Sequence, residues 1–243
     1  HIEFLNKRGI DTSGIIIGDK TFRWQGFYEF DMNEAKTIRT ELNSLESYKV
    51  NVPDHYKDAK YVFLANIDPE LQLDVVKAIK KPELVVMDTM NFWIEHKREQ
   101  LLKAIDKADI LVLNDAEARQ LFNTPNLVKA ANKALRLHTK AVIIKKGEHG
   151  ALLFTHNKHF SAPGYPLENI KDPTGCGDSF GGALTGYLAK TRDTSEKNIR
   201  KAVVYGSVIA SFNAEDFSIE RLKKINHDDI EKRFREFKEI REF

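Results

Sequence analysis

Four short apolar segments decide the fold: YVFLA at residues 61–65, LVVMD at 84–88, ILVLN at 110–114 and AVIIK at 141–145. Apolar residues between these segments follow helical spacing, as in the stripe formed by Ile94, Leu101, Leu102 and Ile105. Continuous apolar strands that alternate with amphipathic helices are typical of βαβ units, in which helices cover both faces of a parallel sheet. The sequence therefore predicts an α/β fold with a doubly wound, mostly parallel sheet flanked by helices.

The N-terminal part of the chain has a strand-like pattern instead. Residues 14–17 are apolar, and in residues 21–30 the side chains of Trp24 and Tyr28 share one parity with Gly26. A glycine on the aromatic face of a strand indicates a β-bulge or a close contact. We therefore predict a strand or bent hairpin in this region.

Helical spacing continues through the rest of the chain. It predicts two short helices across 115–137 and longer ones at 69–80, 94–108, 175–190, 196–213 and 227–241. Residues 31–47 are polar and also helical in pattern. Together these features predict an α/β domain made of residues 1–13 and 48–243, and a small β lid region at residues 14–47.

Composition excludes several classes of protein. The 243 residues are 42% apolar and 30% charged, which argues against a disordered chain and against a membrane protein. A net charge of +2 is too small for a nucleic-acid-binding footprint, and a single cysteine excludes a disulfide framework. With no apolar signal segment at the start of the sequence, we expect a soluble cytoplasmic protein.

The strongest functional signal is DPTGCGDSFGGA at residues 172–183. Small residues at 175–177 precede a helical segment, and the free N–H groups at such a helix start suit a phosphate. Asp178 then falls in the first turn, where its carboxylate could meet a hydroxyl nucleophile or could simply stabilise the helix. A P-loop is absent from the sequence, and the glycine spacing is one residue too long for a dinucleotide fingerprint.

Polar or glycine-containing clusters also follow each predicted strand of the sheet. They are Asn66, Asp88–Asn91, Asn114–Glu117 and Lys145–Gly150. In open α/β sheets, ligands bind beyond the carboxyl ends of the strands. Any one cluster could be a turn or a helix cap, but four at one end of a sheet predict a cleft.

Several of these motifs together resemble a known family. Residues 172–185 are similar to the signature of ribokinase-like (PfkB-type) carbohydrate and nucleoside kinases, and residues 114–117 to the family's N-x-x-E motif. Residues 146–151 resemble its G-x-x-G-A turn, and residues 14–30 lie where the family has its β lid. The family's usual opening strand and Gly-Gly substrate motif would precede the first matched residue, so we expect that N-terminal segment to be missing here.

The resemblance implies ATP-dependent phosphorylation of a hydroxyl group on a sugar-like molecule. It makes Asp178 the catalytic base, and the backbone amides of Gly175, Cys176 and Gly177 the anion hole. The remaining roles that it implies are Asn114 and Glu117 for Mg²⁺ through water, Lys145, Gly147 and Gly150 for the nucleotide, Tyr205 beside the adenine, and Asp172 and Thr174 for a monovalent cation such as K⁺.

Substrate identity stays open between several alternatives. A sugar is the leading expectation, with Trp24, Asn66 and Asn91 as candidate contacts. Phe92 and Trp93 could help Trp24 to form a base-stacking wall, which would suit a nucleoside kinase, although such aromatic residues are also typical of a core or a dimer contact. An alternative from another class is a catalytically weak nucleotide-binding module. The expected partners are a sugar or nucleoside and, through the β lid, a second copy of the chain, with neither nucleic acid nor membrane.

Overall fold

The structure is a computed structural model, which describes residues 1–30, 32–33 and 35–242. Its strands are β1 (Arg23–Tyr28), β2 (Ala35–Glu41), β3 (Tyr61–Leu64), β4 (Leu84–Met87), β5 (Ile110–Asn114), β6 (Ala141–Lys145), β7 (Ala151–Thr155) and β8 (His159–Ala162). Its helices are α1 (Ile2–Lys7), α2 (Pro69–Ala78), α3 (Asn91–His96), α4 (Arg98–Ile105), α5 (Asp115–Phe122), α6 (Leu127–Ala134), α7 (Cys176–Thr191), α8 (Glu196–Ala214) and α9 (His227–Glu239).

The main sheet has six strands in the order β3-β4-β5-β6-β7-β8. Strands β3 to β6 pair in parallel, whereas β6, β7 and β8 pair antiparallel through two short connections. The four predicted strands and the doubly wound, mostly parallel arrangement are confirmed. The turn between β7 and β8 is a hairpin.

Strands β3 to β7 contribute apolar side chains to two separate cores, one on each face of the sheet, whereas Phe160 and Ala162 of β8 belong to only one of them. Val85 and Met87 of β4 face the side covered by helices α2 to α6, while Leu84 and Val86 face α7, α8 and α9. The alternation continues along β5 and β6, whose first four residues are all buried. Because both faces are covered, these strands are apolar throughout instead of alternating with polar residues.

The β lid region contains a two-stranded antiparallel sheet separate from the main one. Trp24, Gly26 and Tyr28 lie on its half-buried face, as predicted, and the pairing shifts between Gln25 and Gly26. A side chain at Gly26 would collide with the Trp24 ring and the backbone of β2. The predicted bulge is therefore confirmed.

Three local expectations are wrong. The helical pattern over residues 31–47, of which 31 and 34 lie outside the described residues, gives way at 35–41 to strand β2, because pairing with β1 supplies the backbone hydrogen bonds that a short polar helix would have to make alone. Residues 14–17 form no strand. The helix predicted at 94–108 is two helices, α3 and α4, because the backbone at Lys97 leaves the helical region with φ −137° and ψ 40°.

The connections after β4, β5 and β6 bring residues 88, 114 and 145 to one edge of the sheet, and α7 begins above that edge. Among the described residues, no helix combines the length and the apolar character needed to cross a membrane.

Candidate active site

The start of α7 forms a turn with exposed backbone donors. Gly175 caps the helix at φ +83°, a left-handed conformation that strongly favours glycine. The Cys176 N–H donates to the Pro173 carbonyl at 3.1 Å, and the Ser179 N–H donates to the Gly175 carbonyl at 2.9 Å. Within the described part of the chain, the N–H groups of Gly175, Gly177 and Asp178 have no acceptor. The resemblance implied an anion hole made of the Gly175, Cys176 and Gly177 amides; the Cys176 N–H is already bonded within the turn, so the amides left free for an anion are those of Gly175, Gly177 and Asp178.

A buried ion pair lies directly against this turn. The Lys145 ammonium, at the end of β6, is 2.8 Å from Asp88 Oδ2 at the end of β4, and these side chains are only 18% and 5% exposed. A Cβ on Gly177 would lie 3.1 Å from Lys145 Nζ. A glycine at 177 therefore lets the helix start approach the ammonium closely. Lys145 was expected only to line the nucleotide, and its partner Asp88 only to be part of the predicted cleft.

The charges around Lys145 change the acidity of their neighbours. Burial alone would lower the pKa of Lys145, but the nearby Asp88 and Glu117 carboxylates outweigh it and raise that pKa. Burial, and then the Asp88 charge, raise the pKa of Asp178, while Lys145 opposes them. This burial is partial: protein atoms surround much of the Asp178 carboxylate, but the residue still reaches solvent at the surface of the site. A carboxylate with a raised pKa beside a fixed cation is suited to accept a proton.

The predicted N-x-x-E motif forms a capping box at the start of α5. Asn114 Oδ1 accepts from the Glu117 N–H and Glu117 Oε2 accepts from the Asn114 N–H, both at 2.7 Å. Burial raises the pKa of Glu117 to about 7, partly opposed by Lys145. The motif therefore places a buried carboxylate within the electrostatic reach of Asp88 and Lys145, at the same edge of the sheet.

The lid approaches this edge at two points. Tyr28 of β1 shares a hydrogen bond of 3.2 Å with Thr174 Oγ1, and Asn33 Nδ2 donates to Glu148 Oε1 at 3.1 Å. Gly147 lies against Asn33, so the lid reaches the turn after β6 as well as the turn before α7. The hairpin thus spans from the predicted anion hole to the predicted nucleotide turn.

One buried side chain that contacts the turn before α7 was not predicted from the sequence. Asn213, in the last turn of α8, is 2% exposed and reaches across to the turn before α7. Its Nδ2 donates to the Thr174 carbonyl at 2.9 Å, and its Oδ1 accepts from the Ser179 hydroxyl at 3.1 Å. The available signal was an amide side chain within the mostly apolar segment VIASFNA at 208–214.

The other predicted residues lie apart from this cluster. The Tyr205 ring is stacked between Tyr187 and Phe234, and its hydroxyl donates to Glu231 at 2.6 Å. Asn66 Oδ1 accepts from the indole of Trp93 at 3.1 Å. Trp24 donates to Thr37 within the lid, and Asn91 is exposed at the start of α3. These four residues keep their predicted roles only as predictions.

Comparison with known proteins identifies the family in which such a site occurs. The sequence profile described as "pfkB family carbohydrate kinase" matches residues 1–221. The chain belongs to this family. A cytidine kinase of Thermococcus kodakarensis is 31% identical over 73% of this chain and 66% of its own length. A nucleoside kinase of Methanocaldococcus jannaschii is 26% identical over 75% of this chain and 64% of its own length. The pfkB-family chain thus spans about two thirds of the length of these relatives.

Solved structures of the pfkB family share the fold. The Methanocaldococcus jannaschii nucleoside kinase matches 97% of this chain and 75% of its own chain, with a TM-score of 0.73 and 22% identity. A putative ribokinase II of E. coli, solved in complex with ATP and Mg²⁺, matches 97% of this chain and 78% of its own chain, with a TM-score of 0.73 and 21% identity. The ribokinase-like α/β fold is therefore confirmed.

Proposed function

We propose that this protein transfers the γ-phosphoryl group of ATP to a hydroxyl group of a nucleoside or a sugar. The observation that carries the proposal is the position of Asp178, in the first turn of α7 beside free backbone amides and the buried Lys145–Asp88 pair. This arrangement offers a base for a hydroxyl group and a positive surface for a phosphate within one turn of helix.

Asp178 acts on the acceptor side of the reaction. Its carboxylate takes the proton of the attacking hydroxyl as that oxygen bonds to the γ-phosphorus. The bond from the γ-phosphorus to the β,γ-bridging oxygen breaks, and ADP leaves. The raised pKa of Asp178 brings the base closer to the working pH, and activity should rise with pH as its carboxyl loses its proton.

The anion side uses charges that are already fixed in place. The N–H groups of Gly177 and Asp178 point from a helix start, where the helix dipole favours negative charge. The Lys145 ammonium lies against Gly177 and is held by Asp88, so it can stabilise the transferring group without rearranging. Gly147 and Gly150, in the turn after β6, would then lie along the nucleotide.

The residues present fit Mg²⁺ held mainly through water. Glu117, Asp88 and Asp178 all interact with Lys145 and supply carboxylate oxygens, the donors that Mg²⁺ prefers. Among the described residues, no three or more His, Cys, Asp or Glu side chains are grouped closely enough to hold a metal ion by themselves, so water would have to complete the coordination of Mg²⁺. Mg²⁺, when bound, neutralises phosphate charge. Glu117 and Asn114 would hold its waters.

A nucleoside is favoured over a free sugar by the two relatives named above, which are a cytidine kinase and a nucleoside kinase. Phe92 and Trp93 pack edge to face, and the Trp93 indole donates to Asn66; on this proposal these aromatic rings would stack against the base. The exposed apolar residues Phe27 and Ile38 of the lid would be covered by the lid of a second copy. The mixed surface charge and single free thiol suit a cytoplasmic enzyme.

The test is ADP release from ATP–Mg²⁺ in the presence of cytidine, inosine, adenosine, D-ribose or D-fructose, together with calorimetry of nucleotide binding. We expect ADP release that depends on a nucleoside, that Asp178→Asn abolishes and that Asp228→Asn leaves unchanged. Asp228 is a matched control because it is also an acidic residue in the first turn of a helix, α9.

Two outcomes would overturn the proposal. ATP–Mg²⁺ binding without ADP release for any acceptor would favour the nucleotide-binding module. Equal effects of Asp178→Asn and Asp228→Asn would mean that Asp178 only stabilises its helix.

A further inference from the structure

The turn before α7 is held from behind by α8. The Asn213 amide donates to the Thr174 carbonyl, lies 3.6 Å from Cys176 Sγ and is oriented by the Ser179 hydroxyl. Cys176 Sγ also donates to the Ala210 carbonyl at 3.4 Å. Residues 174–179, which carry the anion-binding amides, are therefore fixed to one helix by buried side-chain contacts.

Three oxygen atoms of this turn already take part in hydrogen bonds. Asp172 Oδ1 accepts from the Thr174 N–H at 2.9 Å, and Thr174 Oγ1 shares a hydrogen bond with Tyr28. The Thr174 carbonyl accepts from Asn213 Nδ2. A monovalent cation at Asp172 and Thr174 would have to share these oxygens with hydrogen-bond donors, and the Asn213 –NH₂ group presents positive partial charge where the cation would need an acceptor. The residues present do not fit K⁺ at this place.

We infer that Asn213 is a positioning residue that replaces a monovalent cation, so that nucleotide binding and phosphoryl transfer in this protein are independent of K⁺. The inference rests on the proposed function only for the transfer step. Nucleotide binding depends on the same turn and can be measured whether or not transfer occurs.

Charge on the neighbouring loop supports this inference. Lys171 Nζ lies 2.6 Å from Asp216 Oδ1, and Lys224 Nζ lies 3.4 Å from Asp216 Oδ2. The N–H groups of Lys171 and Asp172 both donate to the Ala214 carbonyl, which ties the loop to the end of α8. The carboxylate and the carbonyl that follow Asn213 thus already have cationic or N–H partners from the chain itself.

The experiment exchanges the amide for a carboxylate. In Asn213→Asp, an oxygen would face the Thr174 carbonyl, and two oxygens this close would repel each other unless a cation lay between them. Asn198→Asp is the matched control, since Asn198 is also a buried asparagine on α8 and its Nδ2 donates to the Asp193 carbonyl at 2.7 Å, at the opposite end of the helix.

ATP–Mg²⁺ affinity by calorimetry, phosphoryl transfer and the thermal midpoint are measured in KCl and in choline chloride at equal ionic strength. Wild type and Asn198→Asp should give the same values in both salts. Asn213→Asp should bind nucleotide about 5–150-fold more tightly in KCl, the usual range of coupling between two sites, and K⁺ should raise its thermal midpoint.

If Asn213→Asp does not fold, Asn213→Ala provides a second test. It frees the Thr174 carbonyl without adding a charge, and K⁺ should partly restore its weakened nucleotide affinity. A K⁺ requirement of the wild-type protein, or equal salt responses of Asn213→Asp and Asn198→Asp, would overturn the inference. Absence of phosphoryl transfer in every salt would instead contradict the proposed function, while the K⁺ dependence of nucleotide affinity and of the thermal midpoint would still test Asn213.

Discussion

Replacing Lys145 by methionine removes the cation at the centre of the site while keeping an unbranched side chain of similar length. Lys145 and Asp88 form an ion pair of 2.8 Å whose two side chains are largely buried. Losing one member leaves the other as an unpaired buried charge, which typically costs about 3–5 kcal/mol. For a domain of this size, that loss lowers the thermal midpoint by roughly 6–20 °C. Phosphoryl transfer should also fall by at least about 10²-fold, because a fixed cation beside the transferring group is lost.

Denaturant unfolding and the transfer assay together separate these two effects. Adding Asp88→Asn to Lys145→Met removes the unpaired charge, so stability should return to within about 1–2 kcal/mol of wild type. Activity should stay low, because the ammonium group is still absent. Lys140→Met is the matched control: Lys140 pairs with Asp109 at 2.7 Å, but its side chain is 71% exposed. An exposed pair contributes only about 0.2–1 kcal/mol.

The reasoning would be refuted if Lys145→Met and Lys140→Met lost similar stability, or if Asp88→Asn failed to restore the stability of Lys145→Met. Full activity of the double variant would remove Lys145 from the mechanism.

Three further predictions concern the same cluster. Asp178→Asn should lower turnover by about 10²–10⁴-fold with nucleotide affinity little changed, and steady-state kinetics with calorimetry would show whether affinity falls instead. Burial raises the pKa of Cys176 to about 11. At pH 8 iodoacetamide should therefore label it about 100-fold more slowly than a free cysteine, at a rate that rises about tenfold per pH unit, and bound ATP–Mg²⁺ should protect it. A fast, pH-independent rate would contradict that burial. The folded pKa of Glu117, about 7, lies above its ordinary 4.5, so ionisation destabilises the fold as pH rises through 7. Glu117→Gln should accordingly be more stable than wild type at pH 8, by up to about 3 kcal/mol, and similar to it below pH 4.5. Denaturant unfolding at both pH values measures this, and the same difference in unfolding free energy at both would contradict the prediction.

The parallel sheet could be predicted because its pattern is local. Each strand is a short apolar run between helical stretches. Both faces of β4, β5 and β6 are buried, so the apolar character of these residues indicates a strand at the centre of a covered sheet. Strand β2 could not be predicted in this way. Its residues are polar and only partly buried, and the partner that makes them a strand is β1.

The same difference between local and long-range structure applies to the prediction of the site residues. Residues 172–178 and the capping box of Asn114 and Glu117 are contiguous, and their functional geometry is set by neighbours in sequence. The resemblance implies that Tyr205 lies beside the adenine, which stays a prediction; what the structure adds is that its ring is packed between Tyr187 and Phe234. Helical periodicity places a residue on a face but does not say which element covers that face.

The α/β class and the turn of small residues before α7 could be predicted from the sequence alone, because each depends on residues that are adjacent or follow one periodic pattern, while Asp178 as the base stays a prediction. Which charges meet at the site follows from the tertiary packing. Lys145 and Asp88 are 57 residues apart, and Asn213 and Thr174 are 39 residues apart. Each pair consists of polar groups that are stable in a buried place only when they meet each other, and that meeting is set by how the strands and helices pack.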